Sequence, residues 1–300
     1  MVLFPQARAA VEQAAGDLPT FDPAFSIEAS REAARAEALA APREDVAEVR
    51  DLDADGVPVR LHRPADAEPG VVLHLHGGGF VFHDLEVHDA SARRLANRSR
   101  CAVVSVDYRR PPEHRFPAAP DDVSTVVRWL DREAGALGLD GPAYVHGDSA
   151  GGNLALVAAL RHPGRFAAAA LVYPFLDPEG PERWPSYRDA ADGFDPREAA
   201  WYWEQYAASA ADLRHPDLAP LRADDAALAT LPPTLVVTAE HDPLRDEGEE
   251  LARRLAAAGV PVTSTRYQGQ VHGFWRHPDA FDAAEPLMVQ VAGFLRLHRG

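Results

Sequence analysis

The stretch Gly147-Asp148-Ser149-Ala150-Gly151 has the residue types and spacing of a nucleophilic serine held in a sharp turn. The run Ala143-Tyr144-Val145-His146 before it is strand-forming, and the Ala- and Leu-rich run after it is helix-forming. A strand-to-helix turn of this kind strains the central residue and exposes its Oγ. Gly147 and Gly151 then have a steric reason to be glycines, because a side chain would collide there. The following helix aims its N-terminus at the serine and favours developing negative charge. Taken alone, G-x-S-x-G arises by chance in roughly one chain of this length in ten. The weight therefore rests on partners: a serine hydroxyl needs a base, and the base needs an acid to orient it.

Two late segments offer these partners. The strand-like run Thr234 to Ala239 leads into Glu240-His241-Asp242, and the run Val262 to Tyr267 leads into Gln268-Gly269-Gln270-Val271-His272-Gly273-Phe274. Asp242 and His272 stand where an acid and a base belong, each after a strand, in the order Ser, Asp, His. Glu240 lies nearer its strand end, Asp246 falls in the next helix, and His241 and His277 are the nearest rival imidazoles. His272 is preferred because Gly269 and Gly273 flank it in a tight loop. His76-Gly77-Gly78-Gly79-Phe80 directly follows the apolar run Val71 to Leu75. Glycines there let backbone N–H groups approach a substrate carbonyl and hold its oxyanion. A glycine triplet is often only a flexible turn. Its place at a strand end, and the Phe80-Val81-Phe82 that follows, point to a pocket wall.

From Val46 onward, strands alternate with helices, which implies an α/β fold with a mostly parallel sheet and helices on both faces. The runs Val46 to Leu52 and Val57 to His62, split by a turn, predict an antiparallel hairpin. Two helices fill residues 1 to about 42, with Phe21 and Phe25 between them. Residues 176 to about 215 interrupt the alternation with prolines and then Trp201, Tyr202, Trp203 and Tyr206. One domain over residues 1–300 is expected, with residues of about 1–44 and 176–215 forming a helical cap over the serine. Excursions at the C-terminal ends of strands line sites in open α/β sheets. Phe80, Phe82, Trp201 and Tyr202 are the candidate pocket residues.

With 300 residues, 46% of them hydrophobic, the chain can bury a full core. The formal net charge of −16 argues against nucleic acid or an anionic membrane as partner. The basic residues are all arginine, so lysine Schiff-base chemistry is excluded. Cys101 is the sole cysteine, which rules out an intramolecular disulfide and a thiolate metal cluster. Arg8, Glu12 and Asp17 break up the N-terminal apolar residues, and no stretch reaches membrane-spanning length, so a cytoplasmic protein is expected. A monomer or homodimer is expected, the latter if the last strand is a sheet edge open to pairing.

These motifs together resemble the bacterial hormone-sensitive-lipase-like esterases, a branch of the α/β-hydrolases. The resemblance rests on His76-Gly77-Gly78-Gly79-Phe80, the run Asp107 to Ala119, Gly147 to Asn153, Asp242 to Gly248, and Tyr267 to Phe274. It covers residues from about 45 to 300 and, weakly, the N-terminal helices. It implies an α/β-hydrolase fold with an eight-stranded sheet, a Ser149–His272–Asp242 triad, and an oxyanion hole from the N–H groups of Gly78, Gly79 and Ala150. It implies a small-molecule ester as substrate, and no metal or organic cofactor. Arg110-Pro111-Pro112 departs from the family's usual residues before the Pro-Glu of the Tyr-Arg run, and the charged side chains of that run read as an ion-pair network. The expected reaction is hydrolysis of short- to medium-chain acyl esters. The same parts could serve a lactone, an amide, acyl transfer or elimination. A non-catalytic ligand receptor on this scaffold would usually lack the triad histidine, which is present here.

Overall fold

The central strands are short apolar runs because they are covered on both sides. Val71–Leu75, Ala102–Val106 and Ala168–Val172 are buried at every residue, as strands of a doubly covered parallel sheet must be. The computed structural model describes residues 2–192 and 194–299; Met1, at the start of the expected cap, lies outside them, as do Gly193 and Gly300. Two helices, α1 (Pro5–Ala14) and α2 (Ile27–Ala40), precede the hairpin β1 (Glu48–Ala54) and β2 (Val57–Arg63). Then come β3 (Val71–Leu75), α3 (Asp89–Ser99), β4 (Ala102–Val106), α4 (Ala118–Glu133), β5 (Ala143–Asp148), α5 (Ala150–Arg161) and β6 (Ala168–Val172). The segment after β6 carries the short α6 (Gly180–Arg183) and α7 (Ser186–Asp189), and α8 (Pro196–Tyr206). A single turn, α9 (Asp225–Leu228), leads to β7 (Thr234–His241), α10 (Arg245–Ala257), β8 (Val262–Val271) and α11 (Ala284–Leu297).

The eight strands lie in the order β1-β2-β4-β3-β5-β6-β7-β8. β1 and β2 are antiparallel additions, and every pair from β4 to β8 is parallel. Alternate residues feed two cores. Val72, Val103 and Val237 pack with Leu95 of α3 and Met288 and Val291 of α11 on one face. Leu73, Val104, Val145 and Val236 pack with Val126 of α4, Leu154 of α5 and Leu251 of α10 on the other. Each such aliphatic side chain contributes about 1.5–3 kcal/mol on full burial. β8, expected to end at Tyr267, runs on to Val271, because a register shift between Ala239 and His241 restores pairing and brings His241 opposite Val271. β8 is an edge strand, and it exposes Thr263 and Ser264. Among the described residues no helix is long and apolar enough to cross a membrane.

Capping explains where the peripheral helices begin. Ser26 caps α2 by accepting the Ala29 N–H, and Asp195 caps α8 by accepting the Arg197 N–H. Nothing in α2 is fully buried, so polar fastening holds it. Arg31 donates to Val81 O at 2.9 Å and to Pro111 O at 2.7 Å, and pairs with Glu113 at 2.8 Å. The Tyr-Arg run is thus an ion-pair network, with Arg109 on Asp122 at 2.7 Å and Arg110 on Asp107 at 3.3 Å.

A second network sits at the start of α3. Asp89 is fully buried and accepts from His62 at 2.9 Å, Arg93 at 2.6 Å, Arg43 at 3.1 Å and Arg60 at 3.2 Å. Burial alone would push its carboxyl up, but the hydrogen bonds from His62 and Arg93 outweigh this and hold it well below the usual carboxylate range. Asp89→Asn should lower the unfolding free energy at pH 7 by about 3 kcal/mol, since the half-buried guanidiniums of Arg43, Arg60 and Arg93 lose their shared counter-charge; urea denaturation measures this. A carboxyl depressed on folding stabilises above its unfolded pKa and loses that contribution as pH falls. The gap between parent and variant should therefore narrow below about pH 4.

Candidate active site

All parallel strands end at one edge of the sheet, and the chemistry-bearing residues follow those ends. Leu75 pairs with Gly147, Asp148 with Val172, and His241 with Val271. The next residues along are therefore neighbours: the His76 to Gly79 loop beside Ser149, and Asp242 beside His272.

Ser149 sits between β5 and α5 with φ 55° and ψ −121°, a conformation costing of order 1–3 kcal/mol for a non-glycine residue. Three backbone bonds impose it. Ser149 N–H donates to Val172 O at 2.9 Å, while Ser149 O accepts from Phe175 N at 3.1 Å and from Asn153 N at 3.1 Å. The helix comes so close to β3 that a Cβ on Gly151 would overlap the Leu75 carbonyl. Asn153, fully buried, donates to Phe175 O at 2.8 Å and to Leu218 O at 2.9 Å, tying the post-β6 segment to the turn.

His272 Nε2 lies 3.0 Å from Ser149 Oγ, and Nδ1 lies 2.7 Å from Asp242 Oδ2. Asp242 is fully buried, and its Oδ1 accepts the Leu244 N–H at 2.9 Å. Tyr173 and Phe194 pack on the imidazole, with ring centroids 4.5 and 5.1 Å away. The rival groups are engaged elsewhere. Glu240 accepts the Gly269 N–H at 2.7 Å, His241 meets Asp192 at 2.7 Å, and His277 meets Arg276 at 3.4 Å.

The glycine loop is held from below. Tyr108 donates its hydroxyl to His76 O at 2.7 Å and stacks on the His76 ring at 4.2 Å. Asp148 Oδ1 accepts the Gly77 N–H at 3.1 Å. Gly79 has φ 58°, and a Cβ there would enter the Tyr202 ring. Among the described residues, the N–H groups of Gly78, Gly79 and Ala150 have no protein acceptor. Behind the loop runs a file of imidazoles, half-buried at His83 and buried at His88, His74 and His146: His83 to His88 at 3.3 Å, His88 to His74 at 3.4 Å, and His74 to His146 at 2.9 Å. Burial pushes His76 and His146 down to about 3, and His74, His83 and His88 well below the ordinary range. All five are uncharged near neutrality. His74, His88 and Asp148 offer ligand atoms within 4.8 Å of one another, the set among the described residues with a spacing that could hold a metal ion.

The cavity over Ser149 has a volume of about 240 Å³. Of the predicted pocket residues, Phe82 and Tyr202 line it, with Gly78 and Gly79. Phe80 and Trp201 do not. Phe80 adopts φ 65° and turns into the core, stacked on Tyr206 at 3.8 Å. Trp201 lies behind Phe82, stacked on it at 6.1 Å, with Phe25 edge-on at 6.2 Å. The expectations missed His83, Tyr173, Phe175, Phe194, Glu198 and Arg276 in the wall. Tyr173 had a usable signal, since it directly follows the strand Ala168–Val172 that was identified.

Burial pushes the Asp148 carboxyl up, opposed by Arg276 and by the Gly77 N–H. Asp148→Ala removes the acceptor that anchors Gly77. It should lower kcat on an aryl ester about 10- to 100-fold through misplacement of the loop, whereas Asp148→Asn keeps an acceptor and should lose less. Steady-state kinetics on the two variants checks the order.

Comparison with known proteins identifies the family. A family model described as the alpha/beta hydrolase fold matches residues 72–276. The chain is 35% identical over 289 residues to an ethyl acetate hydrolase of Pseudomonas putida, covering 90% of each. It is 36% identical over 261 residues to an arylesterase of Saccharolobus solfataricus, covering 80% of this chain and 81% of that one. A crystal structure of a thermostable esterase from Pseudomonas putida superposes with a TM-score of 0.91 at 31% identity, covering 100% of this chain and 98% of the other. The chain belongs to the α/β-hydrolase-fold family, in its hormone-sensitive-lipase-like branch, and is a carboxylic ester hydrolase.

Proposed function

We propose that this carboxylic ester hydrolase works by two-step acyl transfer on short- to medium-chain acyl esters, with Ser149 as nucleophile. The hydrogen-bonded file Ser149–His272–Asp242 carries the proposal. Ser149 Oγ attacks the ester carbonyl while His272 Nε2 takes its proton, and Asp242 orients the ring and stabilises the imidazolium. The oxyanion is held by the N–H groups of Gly78, Gly79 and Ala150, at the positive end of α5. His272 returns the proton to the leaving alcohol. Water, deprotonated by His272, then attacks the acyl-enzyme, and Ser149 leaves with the proton.

Residues of about 1–44 and 176–215 act as the cap. Their supporting contacts are Arg31 on the glycine-loop segment, Thr20 N–H on Glu198, and Phe25 on Phe82 and Trp201. The chain-length assignment rests on a cavity of about 240 Å³, below the ~300–1,000 Å³ of pockets that enclose drug-sized ligands.

Ser149→Ala should cut turnover of 4-nitrophenyl butyrate by at least about 10³-fold with an unchanged circular dichroism spectrum; near-normal turnover would sink the assignment. Across 4-nitrophenyl esters, kcat/KM should peak between acetate and octanoate. A maximum at palmitate would exclude the chain-length assignment.

A further inference from the structure

The Ser149 cavity has one arginine in its wall among the described residues, Arg276. It follows the His272-Gly273-Phe274-Trp275 turn, and its Nη2 lies 3.4 Å from His277 Nε2. Among the described residues Arg276 has no ion pair with a carboxylate, while its neighbours are all matched. Arg94 pairs with Glu285 at 2.9 Å, Arg98 with Glu44 at 2.6 Å, and Arg43 with Glu86 at 2.6 Å. Burial, with Arg276 and Arg94 nearby, pushes His277 down to about 4. His277 is therefore neutral and sets no second positive charge beside the guanidinium. Two carboxylates share the cavity with Arg276. Asp148 faces inward onto Gly77 N–H, and Glu198 accepts from Thr20 N–H at 3.2 Å.

Arg276 also lines two further cavities. One, with His83, Val87 and Ala90, lies between α2 and α3; the other, of about 700 Å³, opens beyond it between Glu37, Arg94, Arg98 and Glu285. The guanidinium thus stands where the reaction cavity meets charged, outward-facing space. An alkyl tail gains little there. A guanidinium at a cavity wall with no ion pair to a carboxylate among the described residues can take a planar anion through paired N–H donors.

We propose that Arg276 is an anion subsite of the Ser149 cavity, and that the enzyme prefers esters carrying a second, free carboxylate on the acyl chain, namely half-esters of dicarboxylic acids. The proposal rests on the reading of Ser149 as nucleophile. In that pose the ester carbonyl faces Ser149 and the distal carboxylate meets Arg276. Arg276 acts as a specificity-determining group and takes no part in proton transfer.

The test compares 4-nitrophenyl hydrogen dicarboxylates, from glutarate to suberate, with the corresponding 4-nitrophenyl methyl diesters, which have the same chain without the charge. The readout is the ratio of kcat/KM for the anionic ester to that for the neutral one. At the best chain length, Arg276→Gln should lower this ratio about 10- to 100-fold, mainly through KM. Arg276→Lys, which keeps the charge and loses the fork, should restore part of it. In the unaltered protein the ratio should fall as NaCl rises from about 0.02 to 0.5 M. The proposal is overturned if the ratio is the same in all three proteins at every chain length, or if it is insensitive to salt in the unaltered protein. Failure of the Ser149 reading would look different: Ser149→Ala would keep turning over the neutral diester.

Discussion

The close approach of α5 to the sheet is the constraint on which the rest depends. With Gly151 against the Leu75 carbonyl, no residue with a side chain can stand there. The approach holds Ser149 at φ 55° and turns its hydroxyl out of the strand direction. That conformation is unfavourable by itself, and it persists because the Val172 carbonyl and the Phe175 and Asn153 N–H groups over-determine it. Asn153 then extends the constraint outward, because its amide holds Phe175 and Leu218 together.

Register converts this local geometry into a site. Parallel strands that end level with one another deliver their next residues side by side. Pairing of His241 with Val271 sets Asp242 next to His272, and pairing of Leu75 with Gly147 sets the glycine loop next to Ser149. The carboxylate of Asp148 closes the arrangement by holding Gly77 N–H, which ties the turn to the loop. Beneath them lies a layer of uncharged imidazoles, from His83 to His146. It fills the space under the loop with side chains that can hydrogen-bond without introducing charge.

Much of this was legible in the sequence. Alternating strands and helices predicted the parallel sheet, and the structure brings together Ser149, Asp242, His272 and the glycine loop, which the sequence placed just after strands, because strand ends are local and register does the rest. What was not legible depends on direction. Phe80 was expected in the pocket wall, but its positive φ rotates the ring away onto Tyr206. Trp201 and Tyr202 are adjacent on α8, and only the helix orientation decides that Tyr202 meets the cavity while Trp201 stacks behind Phe82. The end of β8 was set four residues short because the irregularity at Glu240 has no sequence signature. Arg276 looked like any surface arginine, and its significance lies in which neighbours are paired.

The central claim is that one serine carries the acyl group. Labelling with a fluorophosphonate ester, followed by peptide mapping by mass spectrometry, tests it most directly. The account predicts one adduct per chain, on the peptide containing Ser149, with esterase activity lost in proportion to labelling. Full activity in protein completely labelled at Ser149, or inactivation accompanied by an adduct on another residue, would contradict it.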